Sequence, residues 1–386
     1  MPADSPPETA ELDLDGVLAD PGIRIVVCCG AGGVGKTTTA AALALRAAER
    51  HGRRTVVLTI DPARRLAQAL GMVELDNTPR QVKGVGELHA MMLDMKRTFD
   101  EVVLTHTDPR KAEEIFANPF YQAMSSTFSG TQEYMAMEKL GQLRARAEWD
   151  LIVVDTPPSR SALDFLDAPA RLARFLDGRM LRLLLAPARA GGRSMFTFVT
   201  ASFGIFSKAM QKIIGTQLLT DLSGFVSALD SMFGGFRQRA EQTYRILQDR
   251  ETAFLVVAAP EPDAIREAAY FARRLGEERM PLAGLVLNRV HRVAAPALSA
   301  ADSLGAAAAL DKLGDHPATA DTLRVHARLV QQAVRETAVA NEFRASYPGV
   351  PVASIEALPS DVHDLDSLRA LLPAWSGGAP AGGPGP

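Results

Sequence analysis

Lys36 closes a glycine-rich turn, Gly30-Ala31-Gly32-Gly33-Val34-Gly35-Lys36-Thr37-Thr38, in which Gly30, Gly35, Lys36 and Thr37 satisfy the spacing G-x-x-x-x-G-K-[ST]. The apolar run Ile23–Cys29 precedes it and an alanine-rich stretch to Arg50 follows. Strand, loop and helix in that order present successive backbone N–H groups, and the positive end of the helix, to a polyphosphate. Lys36 would reach the β- and γ-phosphates, and the Thr37 hydroxyl would hold Mg²⁺. The alternative is a glycine-rich strand–helix turn with a surface lysine; the strand before and the helix after make a chance match to the spacing much rarer.

Two acids end apolar runs elsewhere. Leu151-Ile152-Val153-Val154-Asp155 reads as a buried strand whose terminal carboxylate stands near Mg²⁺, although a capping aspartate would look the same in isolation. Val56-Val57-Leu58-Thr59-Ile60-Asp61 is a second such strand. Asp61 either acts on the reacting groups or caps a helix that starts after Pro62.

These residues need a scaffold that brings strand ends together. Strand candidates are Ile23–Cys29, Thr55–Ile60, Leu151–Asp155, Ala253–Ala259, Ala283–Asn288 and Pro351–Ile355, with helical spacing between most of them. That alternation predicts an α/β fold: a doubly wound, mostly parallel sheet of the P-loop NTPase kind, with nucleotide at the carboxyl ends of the strands. The expected organisation is a mobile acidic arm over 1–20, a P-loop domain over 21–372 with a helical insertion at about 165–250, and a disordered Gly/Pro tail over 373–386. Leu88–Arg146 also reads as mostly helical. Methionines and phenylalanines gather in both helical regions, where they form either core, a subunit interface or an adaptable apolar groove.

Composition narrows the function. A net charge of -3 supplies no field for nucleic acid or anionic lipid. Cys28 and Cys29, the two cysteines of the chain, adjoin one another on a strand expected at the sheet centre, so they build neither a disulfide framework nor a multi-cysteine metal site. They fit a reducing, cytoplasmic setting. The N-terminal stretch lacks the basic and apolar regions of a signal peptide, and the apolar stretch Met195–Phe206 is far short of the ~20 residues of a membrane span.

Together these features resemble the arsenite-pump/tail-anchored-protein-targeting ATPase family, a deviant-Walker-A class with ParA and MinD as more distant relatives. The match is carried by the Gly30–Thr38 loop, Thr59-Ile60-Asp61-Pro62-Ala63, the Ser129–Tyr134 region, Asp155-Thr156-Pro157-Pro158-Ser159 and Leu287-Asn288. The resemblance implies ATP hydrolysis with ATP and Mg²⁺ as cofactors. It makes Asp61 the switch I acid that activates water, Asp155 the switch II acid near Mg²⁺ and Asn288 the adenine-reading residue. It further implies dimers that sandwich two nucleotides, and a helical insertion that forms a client groove in the targeting branch.

The departures from the family pattern are specific. The signature reads Gly-Lys-Gly-Gly-Val-Gly-Lys-Thr, and its first lysine reaches the partner's phosphates; here that position is Ala31. Arg64 and Arg65 follow the Asp-Pro-Ala element, and Arg160 replaces the glycine expected beside the γ-phosphate. Either Arg65 or Arg160 supplies the missing charge, or a related subunit with an intact signature lysine does, or hydrolysis is slow. The preferred expectation is a heterodimer, as in the actinobacterial paired type, with a homodimer as the other possibility. The cysteines do not suit a metalloid sensor, and the segment after Asn288 has no cysteine pair for zinc; His291 alone reads as a surface residue. Three roles fit: a targeting-like machine with apolar or membrane-protein clients, a soluble motor peripheral to a membrane anion transporter, or a regulatory nucleotide-binding subunit with slow hydrolysis.

Overall fold

A computed structural model describes residues 11–61, 63–119, 121–122, 131–157, 238–314 and 316–371. These residues fall into two compact units: one within Met1–Met92, Arg146–Leu163 and Ile246–Pro386, the other within Leu93–Ala145 and Asp164–Arg245.

The first unit is built on an eight-stranded sheet. Its strands are β1 (Ile25–Cys29), β2 (Thr55–Thr59), β3 (Arg80–Gln81), β4 (Leu88–Met92), β5 (Leu151–Asp155), β6 (Thr252–Ala258), β7 (Leu282–Val290) and β8 (Val352–Glu356). The spatial order β3-β4-β2-β5-β1-β6-β7-β8 is parallel throughout except for the short antiparallel β3 at one edge. This is the doubly wound α/β fold expected from the alternation of apolar runs. β1, β2, β5 and β6 are buried at every position, which explains why they read as unbroken apolar runs rather than alternating ones. Cys28 and Cys29 lie on β1 between β5 and β6, where burial pushes both thiols up, Cys29 to about 12.

Register sets the site. Cys28 pairs with Asp155, and Thr59 pairs with Asp155 from the other side. The carboxyl ends of β1, β2 and β5 therefore finish level with one another. The helix Lys36–His51 returns from β1 and is buried along most of its length, its alanines allowing close approach to the sheet.

Two expectations need correction. Leu88–Met92, inside the stretch read as helical, is strand β4, paired in parallel with β2. Its Leu-His-Ala-Met-Met sequence carries no β-branched residue, so burial against β2 decides what local propensity does not. Residues 11–20, part of the expected mobile arm, are packed. The helix Leu14–Ala19 buries Leu14 and Leu18, and Asp15 pairs with Arg46 of the following helix. Residues 1–10, the tail 373–386 and the insertion expected at about 165–250, apart from 238–250, lie outside the described residues.

The second unit contains the helices Met95–His106, Pro109–Ala117, most of Thr131–Arg146 and the helical residues 238–245. Tyr121 is fully buried, with Phe99 and Phe116 rings at 5.3 and 5.6 Å, and its hydroxyl donates to Asp100 at 2.5 Å. Both Glu138 oxygens accept from Arg239 Nε at 3.0 Å, and Lys139 donates to Glu101 at 2.9 Å. Met135 and Met137 are buried, as core side chains are.

Candidate functional site

Helix Lys36–His51 has no side-chain cap. Gly35 occupies its N-cap with φ 92°, and the first-turn N–H groups are left for a ligand. A Cβ on Gly35 would lie 2.1 Å from the amide nitrogen of Asn288, so this position requires glycine for close approach as well as conformation. Gly33, at φ 79°, faces open space, with nothing within 4 Å of where its Cβ would be. Both glycines line a cavity of about 1000 Å³. Lys36, Thr37, Thr38, Asp61, Arg65, Thr156 and Asn288 line it too.

The loop is drawn round its own lysine. Lys36 is 6% exposed, and its Nζ donates to the Ala31 carbonyl at 2.6 Å. Burial holds its amine below the ordinary lysine value, against the pull of nearby Asp155 and Asp61. Ala31 and Val34 are buried, Gly32 is exposed, and Gly30 stands immediately after β1.

Asp155 is the most enclosed acid of the site, at 0% exposure. Its Oδ2 accepts from the Thr37 and Thr59 hydroxyls, each at 2.8 Å. Its Oδ1 is buried and has no hydrogen-bond partner among the described residues. Burial pushes this carboxyl up to about 6, although Thr59, Thr37 and Lys36 all favour its charged form. An orphaned, buried carboxylate oxygen beside a threonine hydroxyl is the donor chemistry of a hard divalent cation. Thr156 ties the following segment to β1 by donating from Oγ1 to the Cys28 carbonyl at 2.8 Å.

Asp61 is 9% exposed and lies beyond the end of β2. Its Oδ1 accepts from the Ala63 N–H at 3.0 Å, and its Oδ2 stands 4.0 Å from Arg65 Nη1. The helix that follows is Arg65–Ala69 with Arg64 at the N-cap, so Asp61 does not cap it. Asn288 is 7% exposed and donates from Nδ2 to the Val34 carbonyl at 2.8 Å. Arg160, Pro62, Ser129 and Gly130 lie outside the described residues, while Thr131–Tyr134 begin the helix Thr131–Arg146.

A family-wide sequence match spans residues 23–296, from β1 past Asn288, and the matching family is the anion-transporting ATPases. The chain belongs to the anion-transporting ATPase family. It is 25% identical over 287 residues to "ATPase ASNA1 homolog 1" of Paramecium tetraurelia, covering 73% of this chain and 80% of that one. To "ATPase GET3" of Malassezia globosa it is 24% identical, over 72% of this chain and 76% of that one. To "ATPase GET3A" of Arabidopsis thaliana it is 23% identical, over 96% of this chain and 88% of that one.

This anion-transporting ATPase family member hydrolyses ATP and uses Mg²⁺ with it. The residues present fit both: an open glycine cradle under an uncapped helix for the phosphates, and Thr37 with the orphaned Asp155 oxygen for the cation.

The structure adds residues that no motif announced. Arg289, His291, Gln68, Met72 and residues 356–358 and 360–363 share the cavity. His291, read from sequence as a surface residue, is half-buried and pairs its Nδ1 with Glu336 at 2.7 Å. Only folding brings together residues 45 positions apart, so no local spacing could have marked the pair.

Proposed function

We propose that the chain is one ATPase subunit of a heterodimer, with a related subunit supplying the signature lysine that Ala31 replaces. Turnover at this site changes the shape of a helical apolar surface that handles apolar or membrane-protein clients in the cytoplasm. The observation that carries this reading is position 31. The loop is otherwise complete, yet Ala31 offers a methyl group at 9% exposure and a carbonyl already occupied by Lys36. A second cation for the transition state must come from elsewhere.

In this mechanism Lys36 leaves the Ala31 carbonyl for the β- and γ-phosphate oxygens, while the N–H groups from Gly33 to Thr38 hold the phosphate chain. Thr37 and Asp155 would hold Mg²⁺, which would supply charge stabilisation to the phosphate oxygens. Asp61 accepts a proton from the attacking water, whose oxygen bonds to the γ-phosphorus as the bond to the ADP oxygen breaks. Its carboxylate is kept in place by the Ala63 N–H. Asn288 reads adenine while its amide nitrogen steadies the loop at Val34.

One observation favours a second source for the missing charge: Arg65 lies within 4.0 Å of Asp61 and is 63% exposed. In that reading Arg65 swings to the γ-phosphate in the same chain. No helix among the described residues is long and apolar enough to cross a membrane. The role of motor for an anion transporter would therefore require a membrane partner for these residues.

Turnover by the purified chain, alone and with its related subunit, separates these readings. The heterodimer predicts stimulation by about a thousandfold on adding the subunit, the scale of a cation supplied in trans. Turnover of about one per second by the chain alone, abolished by Arg65→Ala, would establish the second reading instead.

A further inference from the structure

Strand β7 carries a defect at the edge of the cavity. Its pairing with β8 slips between Leu287 and Val290, and Arg289, inside the slip, has φ 64°. A left-handed backbone is disfavoured for a residue with a Cβ and persists only where its neighbours enforce it. The chain just after this bulge is held by two elements. Toward β8, Val290 pairs with Glu356, and its carbonyl accepts from the Ala357 N–H at 2.9 Å. Toward the helix Pro317–Ser346, the His291 N–H donates to Glu336 Oε2 at 2.8 Å and the His291 ring meets Glu336 Oε1 at 2.7 Å.

Glu336 belongs to the long helix Pro317–Ser346 and is 3% exposed. Gln332 Nε2 also donates to its Oε1, at 2.8 Å. A carboxylate buried this far requires partners for both oxygens, and here they are the turn after the bulge and a neighbouring amide. The consequence appears at Arg289. Its exposed side chain lines the cavity with Lys36, Asp61 and Asn288, and it has no hydrogen bond or ion pair among the described residues. β-bulges re-aim side chains in this way, and a guanidinium with free donors suits phosphate oxygens.

We propose that Arg289 contacts the phosphates of the bound nucleotide and that Glu336, acting through His291, is a positioning residue for it. This rests on the ATP-site reading above and adds to it a cation from β7, two strands along the sheet from β1.

The test is equilibrium titration of the full chain with the β,γ-imido analogue of ATP and Mg²⁺. Arg289→Ala weakens binding by about tenfold, as expected for the loss of a charge-assisted contact. Glu336→Leu weakens it by about fivefold, and Glu336→Gln, which keeps an acceptor for the His291 N–H, stays within about twofold of wild type. Because Glu336 works through Arg289, the double variant Arg289→Ala/Glu336→Leu binds no more weakly than Arg289→Ala alone. Should Glu336→Leu not fold, His291→Ala removes the ring half of the clamp and takes its place in the same cycle. Unchanged binding in Arg289→Ala, or effects that add in the double variant, overturns the proposal. A wild-type chain that binds no nucleotide would refute the site itself, a different result from variants that bind like wild type.

Discussion

Asn288 Nδ2 donates to the Val34 carbonyl at 2.8 Å, and the same nitrogen lies 2.1 Å from where a Cβ on Gly35 would be. The end of β7 is thus seated against the phosphate loop with no room for one more carbon. Gly35→Ala both displaces Asn288 and forces alanine to φ 92°. It should weaken ATP binding by at least about tenfold and lower stability by about 1–2 kcal/mol. Asn288→Ala removes the contact without the clash and should weaken ATP binding with a smaller loss of stability. Titration with ATP and urea unfolding of both variants check this; a Gly35→Ala chain with normal affinity would refute the close approach.

Asp155 is the acid most dependent on a cation. Its Oδ1 has no hydrogen-bond partner among the described residues, and burial pushes the carboxyl up to about 6. Asp155→Asn keeps the shape and the Thr37 and Thr59 contacts but removes the charge. The Mg²⁺ concentration that half-activates turnover should rise by about tenfold or more, while the variant, relieved of a buried charge, should unfold at no lower temperature than the wild type without metal. An unchanged Mg²⁺ requirement would remove Asp155 from the cation site.

Asp61→Asn separates binding from chemistry. The amide oxygen still accepts from Ala63, so the turn remains, but no group is left to take a proton from water. ATP should bind within about threefold of wild type while turnover falls by about a hundredfold or more. Single-turnover kinetics with ATP already bound would show the loss directly, and ordinary turnover would reject Asp61 as the base.

The motif residues were legible because their chemistry is local. A loop that wraps phosphate needs its glycines, lysine and threonine consecutively, and β1, β2 and β5 announce themselves through unbroken burial. β4 was not legible, since His89, Met91 and Met92 carry no strand preference and only pairing with β2 makes them one. The Glu336 clamp was hidden for a related reason: a glutamate on a long helix looks solvated until the fold buries it against His291. Residues 11–20 misled through composition: the stretch is acidic, yet one of its acids, Asp15, fastens it to Arg46.

That fastening gives a stability prediction with a defined pH window. Asp15 is held from 3.8 down to about 2, first by its hydrogen bond to Arg46 and then by His51, against the opposing effect of burial. A carboxylate with a depressed folded-state value stabilises the fold above its unfolded value and loses that contribution as the pH falls through the folded one. Asp15→Asn should therefore cost about 1 kcal/mol at neutral pH, a figure reduced for solvent screening because the carboxylate is partly exposed. The gap between variant and wild type should narrow below about pH 4 and close toward about pH 2. Urea midpoints across that range test it. A gap that stays constant as the pH falls would mean the side chain stabilises through packing of the helix Leu14–Ala19 rather than through its charge.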